Sequence, residues 1–177
     1  MTGLRLCKAF GRSADRQDGL GSSLPRNVML ELDSTSDVPK VEGDAMQLER
    51  AVANLVINAG EAMKDRAGVV RVSTRSVELE QDDIAALGLE DVAPGAFVCC
   101  EESDAGSGMG EETLGRIFNP FFTTKFLGCG LGLPAVLGIV RQQRGAVRVT
   151  SALGLGGRFQ IYLPVYVEQK FEDVKLD

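Results

Sequence analysis

The chain has 177 residues, 19 Lys+Arg against 25 Asp+Glu and no histidine, giving a formal charge of −6 at pH 7. Without an imidazole it can supply no Ser/His/Asp or Cys/His couple, no His-ligated metal and no phosphohistidine of its own. Its 44% hydrophobic and 25% charged residues fit one globular domain, and the acidic balance argues against nucleic acid or an anionic membrane as partner.

Residues 1–27 form a weakly patterned lead with Gly and Ser clusters, of which 1–23 is expected to be an N-terminal remnant or linker, and 28–33 reads as a short strand. The clearest helix follows the turn at Pro39. Asp44 is its expected N-cap, and Leu48, Ala51, Val52, Leu55, Ala59 and Met63 recur at i, i+3/i+4 spacing, with Gly68 as the expected stop. A strand over 69–77, an acidic insertion over 81–89 with a helical turn, and a strand over 96–101 come next. The last of these runs into a glycine-dense stretch, 104–132, expected to be a long mobile loop of the kind that carries function. A helix over 133–143 and strands over 146–151 and 158–163, joined by a glycine-rich turn, complete a domain over 24–166, and 167–177 is a charged tail. The pattern implies an α/β fold of two layers, helices over a mixed sheet of hairpins.

The four cysteines, Cys7, Cys99, Cys100 and Cys129, form no Cys-x-x-Cys pair. The adjacent pair, Cys99 and Cys100, lies in an apolar run and reads as core or near-core thiols of a reducing, cytoplasmic setting. The longest uncharged run, 126–140, has 15 residues including four glycines and a proline, short of the roughly 18–20 that a membrane span needs. No direct membrane contact by this chain is expected, although a longer parent protein could be anchored.

Three features carry chemistry. On the first helix, at about 100° per residue, Gln47, Asn54, Asn58 and Glu61 share one polar stripe. A solvated face is the plain alternative, but Asn is a mediocre helix former, and Asn54 and Asn58 at i, i+4 can aim two amide oxygens at one ligand or cation. Magnesium takes oxygen ligands and bridges to phosphates, which makes an Asn pair facing a nucleotide chemically sensible. Next, Asp104-Ala105-Gly106-Ser107-Gly108-Met109 stands at a strand end, where an aspartate can accept from an exocyclic amine and glycines let backbone approach a base; a bland turn is the alternative. Third, Gly128-Cys129-Gly130-Leu131-Gly132-Leu133-Pro134 opens a helix, so that backbone N–H groups and the helix N-terminus make an anion cradle. Lys125 lies three residues upstream and can add a point charge, unless it is a solvated loop lysine. Between the last two features, Arg116 to Lys125 carries Ile117, Phe118, Phe121 and Phe122, which either dock as a lid or pack in the core.

In this order the pieces resemble the boxes of the catalytic ATP-binding domain of sensor histidine kinases, of nitrogen-regulation and hybrid phosphorelay type. That superfamily includes gyrase-type topoisomerases, mismatch-repair ATPases and the large heat-shock chaperone. Asn54 to Met63 looks like the N box, Asp104 to Met109 the first glycine box, Phe118-Asn119-Pro120-Phe121-Phe122 the F box and Gly128 to Leu133 the second glycine box. The resemblance runs over 24–163.

It implies a two-layer α/β sandwich with a mixed sheet and a left-handed crossover, the Bergerat-type ATP-binding fold, with ATP and Mg2+ as cofactors. Asn58 would bind the metal, Asn54 would contact phosphates and Glu61 would stand beside them. Asp104, with Gly106, Gly108 and Met109, would hold adenine. Lys125 with Gly128, Gly130, Leu131, Gly132 and Leu133 would hold the phosphates, under a lid over 109–127. Hydrolytic members of the superfamily carry a glutamate base at the position of Asn54, and an amide cannot accept that proton at neutral pH. The implied reaction is therefore phosphoryl transfer, catalysed by Asn54 and Lys125 through positioning and electrostatics. Its acceptor would be a histidine on a separate dimerisation or phosphotransfer domain, with a response regulator downstream.

Asn119, Cys129 and Gly60 depart from the residues usual at their positions. The upstream hairpin that bears the acceptor histidine is missing from this sequence, where 6–12 looks like the end of its second helix. A truncated kinase, a stand-alone module or a degenerate protein fits these departures. The alternatives for function are a catalytically inactive nucleotide-binding regulatory module and a serine kinase of the anti-sigma type.

Overall fold

Five strands make one sheet in the order β2-β4-β5-β7-β6, in a computed structural model that describes residues 3–4, 23–34, 38–64, 66–89, 92–125 and 128–166. They are β2 (Val28–Ser34), β4 (Gly68–Leu79), β5 (Gly95–Asp104), β6 (Ala146–Ser151) and β7 (Gly157–Pro164). Only β2 and β4 run parallel; every other pairing is antiparallel. A separate two-stranded ladder joins β1 (Gly3–Leu4) to β3 (Val41–Glu42). Cys7, residues 6–12 and the tail 167–177 lie outside the described residues.

The parallel pair requires a crossover, and helix α1 (Ala45–Met63) supplies it. Asp44 caps this helix, its side chain accepting from the backbone N–H of Met46 at 2.9 Å and of Gln47 at 3.2 Å, which satisfies two of the donors that a helix N-terminus leaves unpaired. Leu48, Val52, Leu55, Val56 and Met63, none more than 2% exposed, turn one face of α1 onto the sheet. Each such side chain stabilises the fold by roughly 1.5–3 kcal/mol. They meet Val70 and Val72 of β4 and Val98 and Cys100 of β5, alternate residues that share one face of their strands. Helix α4 (Gly132–Gln142) packs beside α1 and adds Val136 and Val140 to the same core.

Two local expectations are corrected. The stop of α1 is Lys64, in a positive-φ conformation (φ 52°), whereas Gly68 opens β4 and pairs with Val28. The acidic insertion holds a formed helix, α2 (Gln81–Leu87), started by a reciprocal Glu80–Asp83 capping box and ended at Gly88 (φ 67°). Ile84 on α2 joins Leu79, Leu89, Phe97, Cys99, Ala146 and Tyr162 in a second cluster. Phe97 and Cys99 alternate along β5 with Val98 and Cys100 of the main core, so this cluster covers part of the opposite sheet face.

Cys99 and Cys100 are buried, as read from sequence. Burial pushes the Cys99 thiol up to about 11 and the Cys100 thiol higher still, which leaves both inert. Cys129, which lies in the second glycine run, is exposed. Among the described residues no helix is long and apolar enough to cross a membrane.

Candidate functional site

A cavity of about 830 Å3 opens between the C-terminal half of α1, the end of β5 and the N-terminus of α4, within the usual range for small-molecule sites. Of the polar stripe on α1, Asn54, Asn58 and Glu61 line it and Gln47 does not. Asp104, Gly108, Met109, Lys125, Gly128, Gly130, Leu131, Gly132 and Leu133 complete the set that sequence singled out. Gly106 is absent from the wall. It lies behind Asp104, donating its N–H to Asp104 Oδ1 at 2.6 Å, and a Cβ there would stand 2.8 Å from the Ala62 carbonyl.

Asp104 is the last residue of β5. Burial raises its carboxyl pKa above the ordinary value of 3.8, and the backbone N–H groups of Gly106 and Gly157 partly offset that by donating to the charged form. The result is a half-buried acceptor aimed into a cavity whose apolar wall includes Ile117, Phe122 and Phe159. That is the surrounding expected for a flat, amine-bearing heterocycle.

The loop after Asp104 is tied to the β6–β7 turn. Met109 N–H donates to Ser151 Oγ at 2.9 Å, Ser151 Oγ donates to the Gly156 carbonyl at 2.6 Å, and Gly154 N–H donates to the Ser107 carbonyl at 2.7 Å. Gly108 sits at φ 64° with its α-carbon against the Ala152 carbonyl, a place with no room for a side chain.

At the other end, Lys125 Nζ donates to Asn58 Oδ1 at 2.8 Å and pairs with Glu61. The ammonium serves as a stand-in ion: it shows that the Asn58 amide oxygen and the Glu61 carboxylate together accommodate a positive charge. Asn58 Nδ2, by contrast, is buried without a hydrogen-bond partner among the described residues and lies near Gly132. The donor set is oxygen-only, which suits magnesium. Among the described residues no three His, Cys, Asp or Glu side chains gather as a metal set, so a cation here would draw its remaining ligands from phosphate and water.

The segment between the two glycine runs holds the short helix α3 (Glu111–Leu114). Ile117 is 5% exposed and Phe118 and Phe122 pack on the main core, while Phe121 stays 76% exposed. Three of the four apolar side chains thus anchor the segment. The Arg116 guanidinium lies 4.4 Å from the centroid of the Phe122 ring.

The profile of the histidine kinase-, DNA gyrase B-, and HSP90-like ATPase family matches residues 43–167. The chain belongs to this ATPase family. It is 35% identical over 162 residues to the sensor kinase CckA of Brucella abortus, a match covering 90% of this chain and 17% of CckA. Identity to the sensor histidine kinase ZraS of Escherichia coli K12 is 32% over 145 residues, covering 82% of this chain and 27% of that protein. With sporulation kinase E of Bacillus subtilis it is 34% over 139 residues, covering 78% and 16%. The chain therefore spans between 16% and 27% of the length of these curated relatives.

Among solved structures, the mycobacterial sensor histidine kinase MprB aligns with a TM-score of 0.69 at 24% identity, over 93% of this chain and 97% of that one. Full-length ShkA in complex with AMPPNP aligns with a TM-score of 0.72 at 22% identity, over 94% and 31%. Both show the fold, an α/β sandwich on a mixed sheet.

Within this ATPase domain the three departures fall in different places. Cys129 lines the cavity, Asn119 is exposed outside it, and Gly60 is buried on α1, where a Cβ would stand 2.5 Å from Leu24 Cδ2. Sequence reasoning missed Ser151, Gly157 and Phe159 on the wall. No local signal marks them: they reach the site because Gly157 pairs with both Asp104 and Ser151, and Phe159 with Glu102. Thr113 and Ala62 were also missed. Ala62 had a signal, being one residue from Glu61 on a helix already aimed at the ligand.

Proposed function

We propose that the chain is the Mg-ATP-binding catalytic domain of a two-component sensor histidine kinase, passing the γ-phosphoryl group to a histidine on a separate dimerisation or phosphoacceptor domain. One observation carries the reading. The α1 residue facing the cavity one turn before Asn58 is Asn54, a neutral amide, which can position a phosphate but cannot take a proton from water. Nucleotide bound here is kept from hydrolysis and presented to an outside nucleophile. The relatives named as sensor kinases support the same direction.

Each residue has a role in that reading. Asp104 accepts from the adenine amine, and the Ile117, Phe122 and Phe159 side chains enclose the ring and exclude water. Lys125 and the backbone N–H groups at the start of α4 hold phosphate oxygens, where the helix N-terminus favours negative charge. Asn58 and Glu61 would hold a magnesium ion, which would supply neutralisation of charge on the transferred group. The chain contains no histidine, so the acceptor must come from another polypeptide segment, and a response regulator would receive the phosphoryl group downstream.

Incubation with γ-labelled ATP and a separately supplied acceptor hairpin tests the reading. Acid-labile label on the hairpin is the expected result. ATP binding without any transfer points to a regulatory module, and acid-stable label to transfer onto serine; either outcome overturns the histidine kinase assignment.

A further inference from the structure

Lys125 is held on both sides by its own backbone, its N–H donating to Thr123 Oγ1 at 3.1 Å and its carbonyl accepting from Gly128 N–H at 3.3 Å. From that turn its side chain reaches α1, where the ammonium sits between Asn58 Oδ1 and the Glu61 carboxylate. The same two oxygens are the ones offered to a divalent cation. The same ammonium is the one offered to phosphates. Two binding partners of the site are thus occupied by each other.

The geometry points to Glu61 as a specificity-determining residue: by holding Lys125 on α1, it makes polyphosphate binding conditional on an accompanying divalent cation. This rests on the Mg-ATP reading above. A nucleotide arriving without metal must draw Lys125 away from Glu61, and it then leaves an uncompensated carboxylate beside its own negative charge. A nucleotide arriving with magnesium exchanges one cation for another. Glu61 and Asn58 would offer the metal their oxygens, which suit a hard ion, and the Lys125 ammonium, released from them, would turn to the phosphates. Glu61 therefore works against the metal-free nucleotide and with the metal-loaded one. The Lys125 and Glu61 side chains are 38% and 51% exposed, so solvent screens the pair and its release changes affinity by only about 2- to 5-fold.

The test is equilibrium binding of ATP, in excess magnesium and in EDTA, to the wild type, Glu61→Gln, Lys125→Met and the double variant. Glu61→Gln should tighten metal-free ATP by about 2- to 5-fold and shrink the enhancement that magnesium gives; Glu61→Ala should act with the same sign. In the Lys125→Met background the metal-free gain from Glu61→Gln should fall, because only simple repulsion remains to be relieved. Equal weakening with and without metal would overturn the inference, as would an identical metal-free gain in both backgrounds. Those results leave ATP binding itself intact. A wild type that binds ATP under neither condition sinks the nucleotide reading and this inference with it.

Discussion

Replacing Glu102 by glutamine should stabilise the protein, and the gain should grow with pH. Glu102 lies on the core face of β5, 1% exposed, opposite Val72 and Phe159 on the flanking strands, and neither carboxyl oxygen has a hydrogen-bond partner among the described residues. Burial pushes its pKa well above the ordinary 4.5, and the nearby charges of Asp104 and Glu101 push it further the same way. A carboxyl with a raised native pKa contributes stability that is complete below the unfolded pKa and is lost as pH rises through the native one. Between those two values the unfolded chain has released a proton that the native protein keeps. Stability then falls by about 1.4 kcal/mol per pH unit. Glutamine has the same shape and cannot ionise. Its advantage should be near zero below pH 4.5, widen at that slope, and level off where native Glu102 ionises. For a chain of this length each kcal/mol moves Tm by about 2–4 °C. Glu102→Met should add roughly 1–3 kcal/mol at every pH by removing the unpaired polar group. Denaturant melts at half-unit pH steps decide the matter. Wild-type and Glu102→Gln curves that run parallel, or that converge as pH rises, would refute the reasoning.

Asp104→Asn should leave the fold intact and weaken ATP roughly 10- to 150-fold, the range for losing a hydrogen bond to a charged group, as read by calorimetric titration. Because the Asp104 pKa is raised, wild-type ATP affinity should drop on acidification while the folded state gains stability from the same protonation, and in the variant both trends should shrink, leaving the stability gain that Glu102 supplies. Gly130→Ala introduces a Cβ 2.5 Å from the Phe121 carbonyl carbon and 2.6 Å from the Phe122 oxygen, at φ 64°, so it should cost about 1–3 kcal/mol of stability. It should also weaken ATP much more than adenosine, since the disturbed backbone lies at the phosphate end; equal losses for both ligands would refute the placement.

What could be read from the sequence was what is local. Asp44 as an N-cap, the apolar stripe of α1 and the placing of Asn54 and Asn58 on one side of it follow from helical periodicity alone. The Asp104 and Gly128 runs follow from the conformations that glycine permits. The stop of α1 was misplaced because Lys64 takes a positive φ without the glycine that usually marks such a position. Helix α2 was underestimated although the Glu80–Asp83 box and Gly88 are local signals, because a seven-residue segment has little periodicity to show. Ser151, Gly157 and Phe159 could not have been found, since strand register alone brings them to Asp104. Neither could the link from Lys125 to Glu61, 64 residues away, nor the isolation of Glu102, which in sequence is one acid among several.

The contact between Phe121 N–H and the Gly130 carbonyl, 3.0 Å long, closes the segment between them at its base. A ring closed this way has a span set by its ends and not by its contour. Each doubling of the enclosed length adds only about 0.6 kcal/mol of closure entropy. Insertions between Phe122 and Cys129 outside the turn at 123–128 would therefore cost the sheet little, and on the Mg-ATP reading they would tune how a polyphosphate is enclosed.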